Sequence, residues 1–185
     1  MKFIKFLFII FITLPTTIKA DLNENLISEL KEGGKLVFIR HAYAPGSGDP
    51  DDFNINDCNK QRNLNYAGIE QAKDIGNFFK NNQIKIDKIL SSEWCRCKET
   101  ASLAFKNYET KKFLNSFFSL KFAHKRETQI MDLKKYVNKW KSDKNLVFVT
   151  HYVVISEVLD YASSSGEIII SDHKFKNIGS IKVKY

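Results

Sequence analysis

The chain has no apolar run of the length a bilayer requires, no low-complexity stretch, and only three cysteines in 185 residues. Its longest apolar segment, Phe6 to Leu14, falls well short of the roughly 20 residues that span a hydrocarbon core, which argues against a permanent membrane anchor. With 43% hydrophobic and 27% charged residues and no biased segment, the chain is suited to one well-buried core. Cys95 and Cys97 are separated by a single residue, so neither a C-x-x-C redox pair nor a zinc knuckle is present. Basic residues outnumber acidic ones by 29 to 21, yet Lys73, Lys80, Lys106, Lys121, Lys135 and Lys141 are scattered, with no stripe interleaved with aromatics. No nucleic-acid partner is therefore expected. Calcium is excluded too. Asp52, Asn54 and Asn56 fill the first ligand positions of an EF-hand loop, but Asp57 stands at the turn glycine and Asn63 at the closing glutamate.

The amino terminus differs in kind from the rest. Lys2 and Lys5 precede the apolar run, and Pro15 to Ala20 close it with a small residue, the layout of a secretory signal peptide over residues 1–20. Cleavage after Ala20 removes Lys2, Lys5 and Lys19, lowers the formal net charge from +8 to +5, and leaves a single domain over residues 21–185 with no stable membrane span. The compartment expected is periplasmic or extracellular. There two of the cysteines pair, Cys58 with Cys95 or Cys58 with Cys97, and one is left over; three buried thiols without a bridge are the alternative.

Along the mature part, two periodicities alternate. Leu22, Leu26 and Leu30 mark a helix stopped by Gly33-Gly34, and residues 35–40 form a buried strand. Ile69, Ala72, Ile75 and Phe79 recur at helical spacing behind Asn65 as N-cap, and Ile86 to Leu90 follow as a strand. A helix starts near Ser92, residues 112–118 read as a strand, Ile130, Leu133, Val137 and Trp140 as a helix face, Leu146 to Thr150 as a strand, and 153–161 as a helix. The tail reads as two antiparallel strands, Glu167 to Ile170 and Ile178 to Val183, around a turn near Asn177 and Gly179. This alternation predicts an α/β three-layer sandwich, a mostly parallel sheet with helices on both faces. The connection 43–65, rich in Gly, Pro, Asp and Asn, is longer than such loops usually are, and reads as a solvated loop or a lid over a pocket.

Two of the strands end in histidine, Leu36 to His41 and Leu146 to His151. In a parallel α/β sheet the carboxyl ends of the strands open onto the ligand crevice, so His41 and His151 can face one bound group. Arg40 suggests that the group is anionic, since a guanidinium fork suits phosphate oxygens. Arg96 lies in or near the first turn of a helix, where unpaired N–H groups and the helix dipole already favour an anion. His124 and His173 lack this context and read as surface residues.

Taken in order, Arg40-His41-Ala42, the segment Arg62 to Ala72, the run Ser91-Ser92-Glu93-Trp94-Cys95-Arg96-Cys97-Lys98-Glu99-Thr100-Ala101 and Thr150-His151 resemble the motifs of the histidine phosphatase superfamily, which includes the cofactor-dependent phosphoglycerate mutases. The resemblance implies that His41 attacks phosphorus and is transiently phosphorylated. Arg40, Arg96 and His151 then stabilise the transferring group, with no metal and no cofactor. Arg62 is expected to touch substrate phosphate or, alternatively, to bond backbone carbonyls where the loop returns.

Two departures from the pattern bear on activity. Ala42 replaces the glycine after the histidine, and no carboxylate lies in Phe113 to Phe118, where many relatives carry the general acid. Glu127 and the aspartates of the long loop are the remaining candidates. The expected activity is an exported phosphatase acting on a phosphomonoester or phosphoramidate, its partner a small phosphorylated substrate or a phosphorylated cell-envelope component. The alternatives are a non-catalytic module that binds a phosphorylated ligand and, if residues 1–20 stay attached, a membrane-anchored structural protein.

Overall fold

Strand β1 (Leu36–Arg40) fixes the layering, because successive side chains leave a strand on opposite faces. Val37 and Ile39 join one apolar cluster and Leu36 and Phe38 another. The same alternation runs through β4 (Asn145–Thr150), with Val147 and Val149 on the first face and Leu146 and Phe148 on the second. Both strands are therefore sealed on both sides, which is why they read as unbroken apolar runs. In this computed structural model, residues 16–185 are described, with side chains from Asn23 onward. The apolar run Phe6 to Leu14 and the lysines before it, the body of the expected leader, lie outside the described residues.

Helices α1 (Thr16–Glu32), α2 (Tyr66–Asn81) and α3 (Cys95–Phe105) cover the first face through Leu26, Leu30, Ile75, Phe79 and Ala101. Helices α5 (Arg126–Lys139) and α6 (Tyr152–Leu159) cover the second through Ile130, Leu133, Val137, Val154 and Ile155. A single-turn α4 (Leu120–Ala123) precedes α5. The sheet also contains β2 (Ile86–Ser91), β3 (Glu109–Thr110), β5 (Ile168–Ser171) and β6 (Asn177–Ile181), in the order β3-β2-β4-β1-β5-β6. Strands β3, β2, β4 and β1 run parallel, β5 is antiparallel to β1, and β6 to β5. The fold is the expected three-layer α/β sandwich around a mixed sheet. Among the described residues no helix is long and apolar enough to cross a membrane.

Two local expectations are corrected. Residues 112–118 are not a strand: Lys112–Leu114 is a 3-10 turn, and the chain then crosses the sheet end. Leu114 and Phe117 are buried three residues apart, a turn-like spacing that the density of apolar residues disguised. The turn of the tail hairpin lies at Asp172 to Lys176, where the Asp172 carboxylate accepts N–H bonds from Lys174 and Lys176. Asn177 and Gly179 belong to β6. Gly179 is there because helix α1 packs on it: a Cβ would sit 2.7 Å from a Leu26 methyl.

Candidate active site

Register brings the two histidines together. Arg40 pairs with Thr150 across β1 and β4, so the next residues leave the sheet side by side, and the His41 N–H donates to the Thr150 carbonyl at 2.9 Å. The rings meet edge to face with centroids 5.5 Å apart. On the other side of β4, the Ser92 N–H donates to the Val149 carbonyl at 2.9 Å. That contact delivers Ser92 and the first turn of α3, with Arg96, to the same strand ends. His41, Arg96 and His151 are only 2%, 3% and 3% exposed, yet all line one cavity of about 350 Å³ with Arg40 and Arg62. Gly46 to Asp51 and Phe53 of the long loop line it too.

The His41 ring is wired for one tautomer. Its Nδ1 lies 2.8 Å from the Ala42 carbonyl, which can only accept, and its Nε2 receives the Nε–H of Arg96 at 3.2 Å. Nδ1 therefore carries the proton, and Nε2 presents its lone pair. Burial, then the charge of Arg96, push the His41 pKa well below the ordinary imidazole range, with Arg40 and Arg62 adding to the effect. The Ala42 N–H is in turn held by Thr100 Oγ1 at 3.0 Å, so the threonine of the α3 motif fixes the backbone that fixes the ring. Gln71 performs a similar task one residue on. Its Oε1 accepts the Tyr43 N–H at 2.8 Å while its Nε2 donates to the Ser165 and Val183 carbonyls.

His151 is wired differently. Its Nε2 lies 2.9 Å from Ser92 Oγ, and that hydroxyl donates its proton to Asn115 Oδ1 at 3.0 Å. The serine oxygen is thus left to accept, and Nε2 of His151 carries the proton. Burial, then Arg96 and His41, hold this ring neutral as well. Asn115 also accepts the Glu93 N–H and donates to the Glu93 carboxylate. Cys97, buried with its thiol pushed up to about 12 by desolvation, sits 3.5 Å from the same His151 nitrogen.

The arginines differ in commitment. Arg40 Nη1 donates to the Ser163 carbonyl at 2.7 Å, while its buried Nε has no partner. Arg62 donates from Nε to the Gly48 carbonyl at 2.8 Å and from Nη1 to the Ala44 carbonyl, so it ties the loop together while lining the cavity. Arg96 is bound in a fork by Asp49, at 2.6 and 3.2 Å. Glu127, a candidate acid from sequence, is exposed on α5 and borders a separate surface depression with Met131 and Glu157, so it does not reach the histidines. The carboxylates that line the cavity are Asp49 and Asp51. Of the possible pairings, Cys58 is bonded to Cys95 and Cys97 is free. The bridge clamps the long loop to the residue beside Arg96. Among the described residues, no group of His, Cys, Asp and Glu could hold a metal ion.

Asp49 and Asn115 are the residues that motif reading left without a specific role. Gly48-Asp49-Pro50 looks like any turn, and an asparagine in an apolar run looks incidental; only tertiary contacts reveal their partners. Comparison with known proteins agrees with the geometry. Residues 36–115 match the family model of the histidine phosphatase superfamily, branch 1. The broad-specificity phosphatase YOR283W of Saccharomyces cerevisiae is 29% identical over 85 residues, 46% of this chain and 35% of that protein, so the match spans about a third of the yeast protein's length. The protein histidine phosphatase SixA, solved with tungstate, shares the fold at a TM-score of 0.53 and 13% identity, over 80% of this chain and 96% of its own. The phosphoglycerate mutase of Thermus thermophilus does so at 0.56 and 14% identity, over 81% and 99%. Over the matched segment the chain is similar to the histidine phosphatase superfamily, and it shares the fold of solved members, with the motif residues gathered at one sheet edge.

Proposed function

We propose that this protein is an exported phosphatase that hydrolyses a phosphomonoester or phosphoramidate through a phosphohistidine on His41. The observation that carries the reading is the His41 ring: neutral, fixed as the Nδ1–H tautomer, and presenting Nε2 to a cavity lined by Arg40, Arg62 and Arg96. In the first step Nε2 forms a bond to phosphorus as the bond from phosphorus to the leaving oxygen or nitrogen breaks. The Nε–H of Arg96 exchanges its histidine acceptor for a phosphoryl oxygen. In the second step water attacks phosphorus, the P–N bond breaks, and inorganic phosphate and neutral His41 are regenerated. Charge in such a loose transition state spreads over the equatorial oxygens, so positioned cations do most of the work. Arg40 is prepared for this by a buried Nε–H with no protein partner. Each such donor typically contributes roughly 3–4 kcal/mol of barrier lowering. These side chains supply the charge stabilisation without a metal ion.

Asn115 stands in the stretch where many relatives carry a carboxylate, so no carboxylate of that stretch protonates the leaving group. That favours substrates whose leaving group departs easily, such as phosphohistidine, over alkyl phosphates. Export is supported by the leader-like residues 1–20 and by the Cys58–Cys95 bridge, which suits an oxidising compartment. A phosphorylated cell-envelope component is then the natural substrate class.

The test is hydrolysis of an aryl phosphate, a phosphoramidate and an alkyl phosphate by the wild-type protein and by His41→Ala. Hydrolysis in the order phosphoramidate, aryl, alkyl, abolished by the substitution, is expected. Turnover that survives His41→Ala rejects the nucleophile, and oxyanion binding without turnover supports the binding module. Intact mass of the protein recovered from outside the cytoplasm tests removal of residues 1–20.

A further inference from the structure

We propose that Asp49 is a positioning residue that sets the plane of the Arg96 guanidinium, and through it the N–H that faces the attacking nitrogen of His41. The proposal rests on the phosphatase reading for its chemistry and on contacts alone for its geometry. Arg96 reaches His41 through Nε, which leaves its two terminal nitrogens to define the orientation of the plane. Both are taken by Asp49: Oδ1 accepts from Nη1 at 2.6 Å and Oδ2 from Nη2 at 3.2 Å. A bidentate pair of this kind is coplanar and fixes direction as well as distance. Nη1 is bonded further to the Arg62 carbonyl at 3.3 Å.

The carboxylate is itself held from two other directions. Oδ2 accepts the Trp94 indole N–H at 3.0 Å, and Oδ1 the Arg62 backbone N–H at 3.1 Å. Four N–H groups from α3, from the residue capping it and from the returning loop thus converge on one side chain. Two other roles compete, and the contacts weigh against each. If Asp49 merely occupied the phosphate position until substrate displaced it, departure would strand the Trp94 and Arg62 N–H groups, which are costly to leave unpaired in a buried site. If it donated the leaving-group proton it would have to carry one, whereas a carboxylate accepting four N–H bonds is held ionised. Asp49 lines the cavity but is bonded to Arg96 rather than to His41, so its influence on the nucleophile passes through Arg96.

The experiment uses the full chain as wild type, Asp49→Asn, Asp49→Glu, Arg96→Ala and the Asn/Ala double variant. Three measurements are made: kcat/KM on aryl phosphates of graded leaving-group pKa, the Kd of orthovanadate, and the ¹⁵N shift of His41 Nε2 in the ligand-free protein. Positioning predicts a loss of roughly a hundredfold in kcat/KM for Asp49→Asn, equal across leaving groups, and weaker vanadate binding. It also predicts no further loss when the change is made in Arg96→Ala, partial recovery in Asp49→Glu, and a shift of His41 Nε2 toward the value in Arg96→Ala. Tighter vanadate binding in Asp49→Asn overturns the proposal in favour of a displaceable placeholder. A loss that grows with leaving-group pKa, or adds fully to that of Arg96→Ala, overturns it in favour of a proton donor. An unmoved His41 shift overturns it even if the wild-type protein hydrolyses nothing, an outcome that would separately sink the phosphatase reading.

Discussion

His41 and His151 share burial, neighbours and a depressed pKa, and still differ in what they can do. The carbonyl of Ala42 leaves the lone pair of His41 on Nε2, beside Arg96, whereas the Ser92 to Asn115 chain puts the proton of His151 on Nε2. His41→Asn should therefore abolish phosphoenzyme formation and lower turnover by at least about 10⁴-fold, while His151→Asn should lose about 10²–10³-fold and still label with phosphate. Rapid acid-free quench with labelled substrate checks this; equal labelling of both variants would show that the assignment is wrong. At this scale the sequence was informative where a residue type at a strand end limits the chemistry, as for Arg40, His41, Arg96 and His151. It was silent where a role comes from a partner distant in sequence, as for Asn115, and for Asp49 it offered only a place among the candidate acids of the loop, not the pairing with Arg96. Arg62 carries both of its anticipated readings at once: it lines the cavity and ties the loop carbonyls.

Among the elements, the long loop behaves as a splint. Arg62, Asp49, Gln61 and the Cys58–Cys95 bridge all attach it to the start of α3; Gln61 Oε1 accepts the Cys95 N–H at 2.9 Å. Closing a loop between cysteines 37 residues apart restricts the unfolded chain by about 4 kcal/mol on the chain-entropy estimate. Cys58→Ser with Cys95→Ser should lower the urea midpoint accordingly and weaken vanadate binding, because Arg96 follows directly on the lost anchor. Unchanged vanadate affinity would show the bridge to be stabilising only. Helix α2 offers a second check. A Cβ on Gly68 would lie 1.9 Å from the Tyr43 carbonyl, so Gly68→Ala must push the helix off the chain that leaves β1. A cost of roughly 1–3 kcal/mol and a parallel loss of activity are expected. The element pattern was legible where burial imposed a clean period, in β1, β4 and α2 with its Asn65 cap accepting the Gly68 N–H at 3.0 Å. It failed at 112–118 and at the tail turn, where the aromatic run and Gly179 answer to packing against other elements.

For the whole molecule, the buried imidazoles link the site to the stability of the fold. Both histidines have folded-state pKa values well below the ordinary 6.5, through burial first and the neighbouring Arg96 charge second. Below pH 6.5 the unfolded chain binds protons at these positions and the native chain does not, so unfolding stability falls as pH falls. Each histidine contributes a slope of up to about 1.4 kcal/mol per pH unit in that window, and none above it. Asp49 acts in a lower range: its carboxyl is held below the ordinary value because the Arg96 pair and the Trp94 and Arg62 N–H bonds outweigh burial, so its contribution is lost only as pH drops through that depressed value. Urea unfolding at about pH 7.5, 6.5, 5.5 and 5.0 should therefore show little change over the first interval and a steep decline thereafter. The variant with both His41→Asn and His151→Asn should decline less steeply over the same range, since asparagine takes up no proton in either state. Identical pH slopes for variant and wild type below about 6.5 would mean that these rings are charged in the folded protein. A protonated His41 could not supply the lone pair on which its proposed role as nucleophile depends.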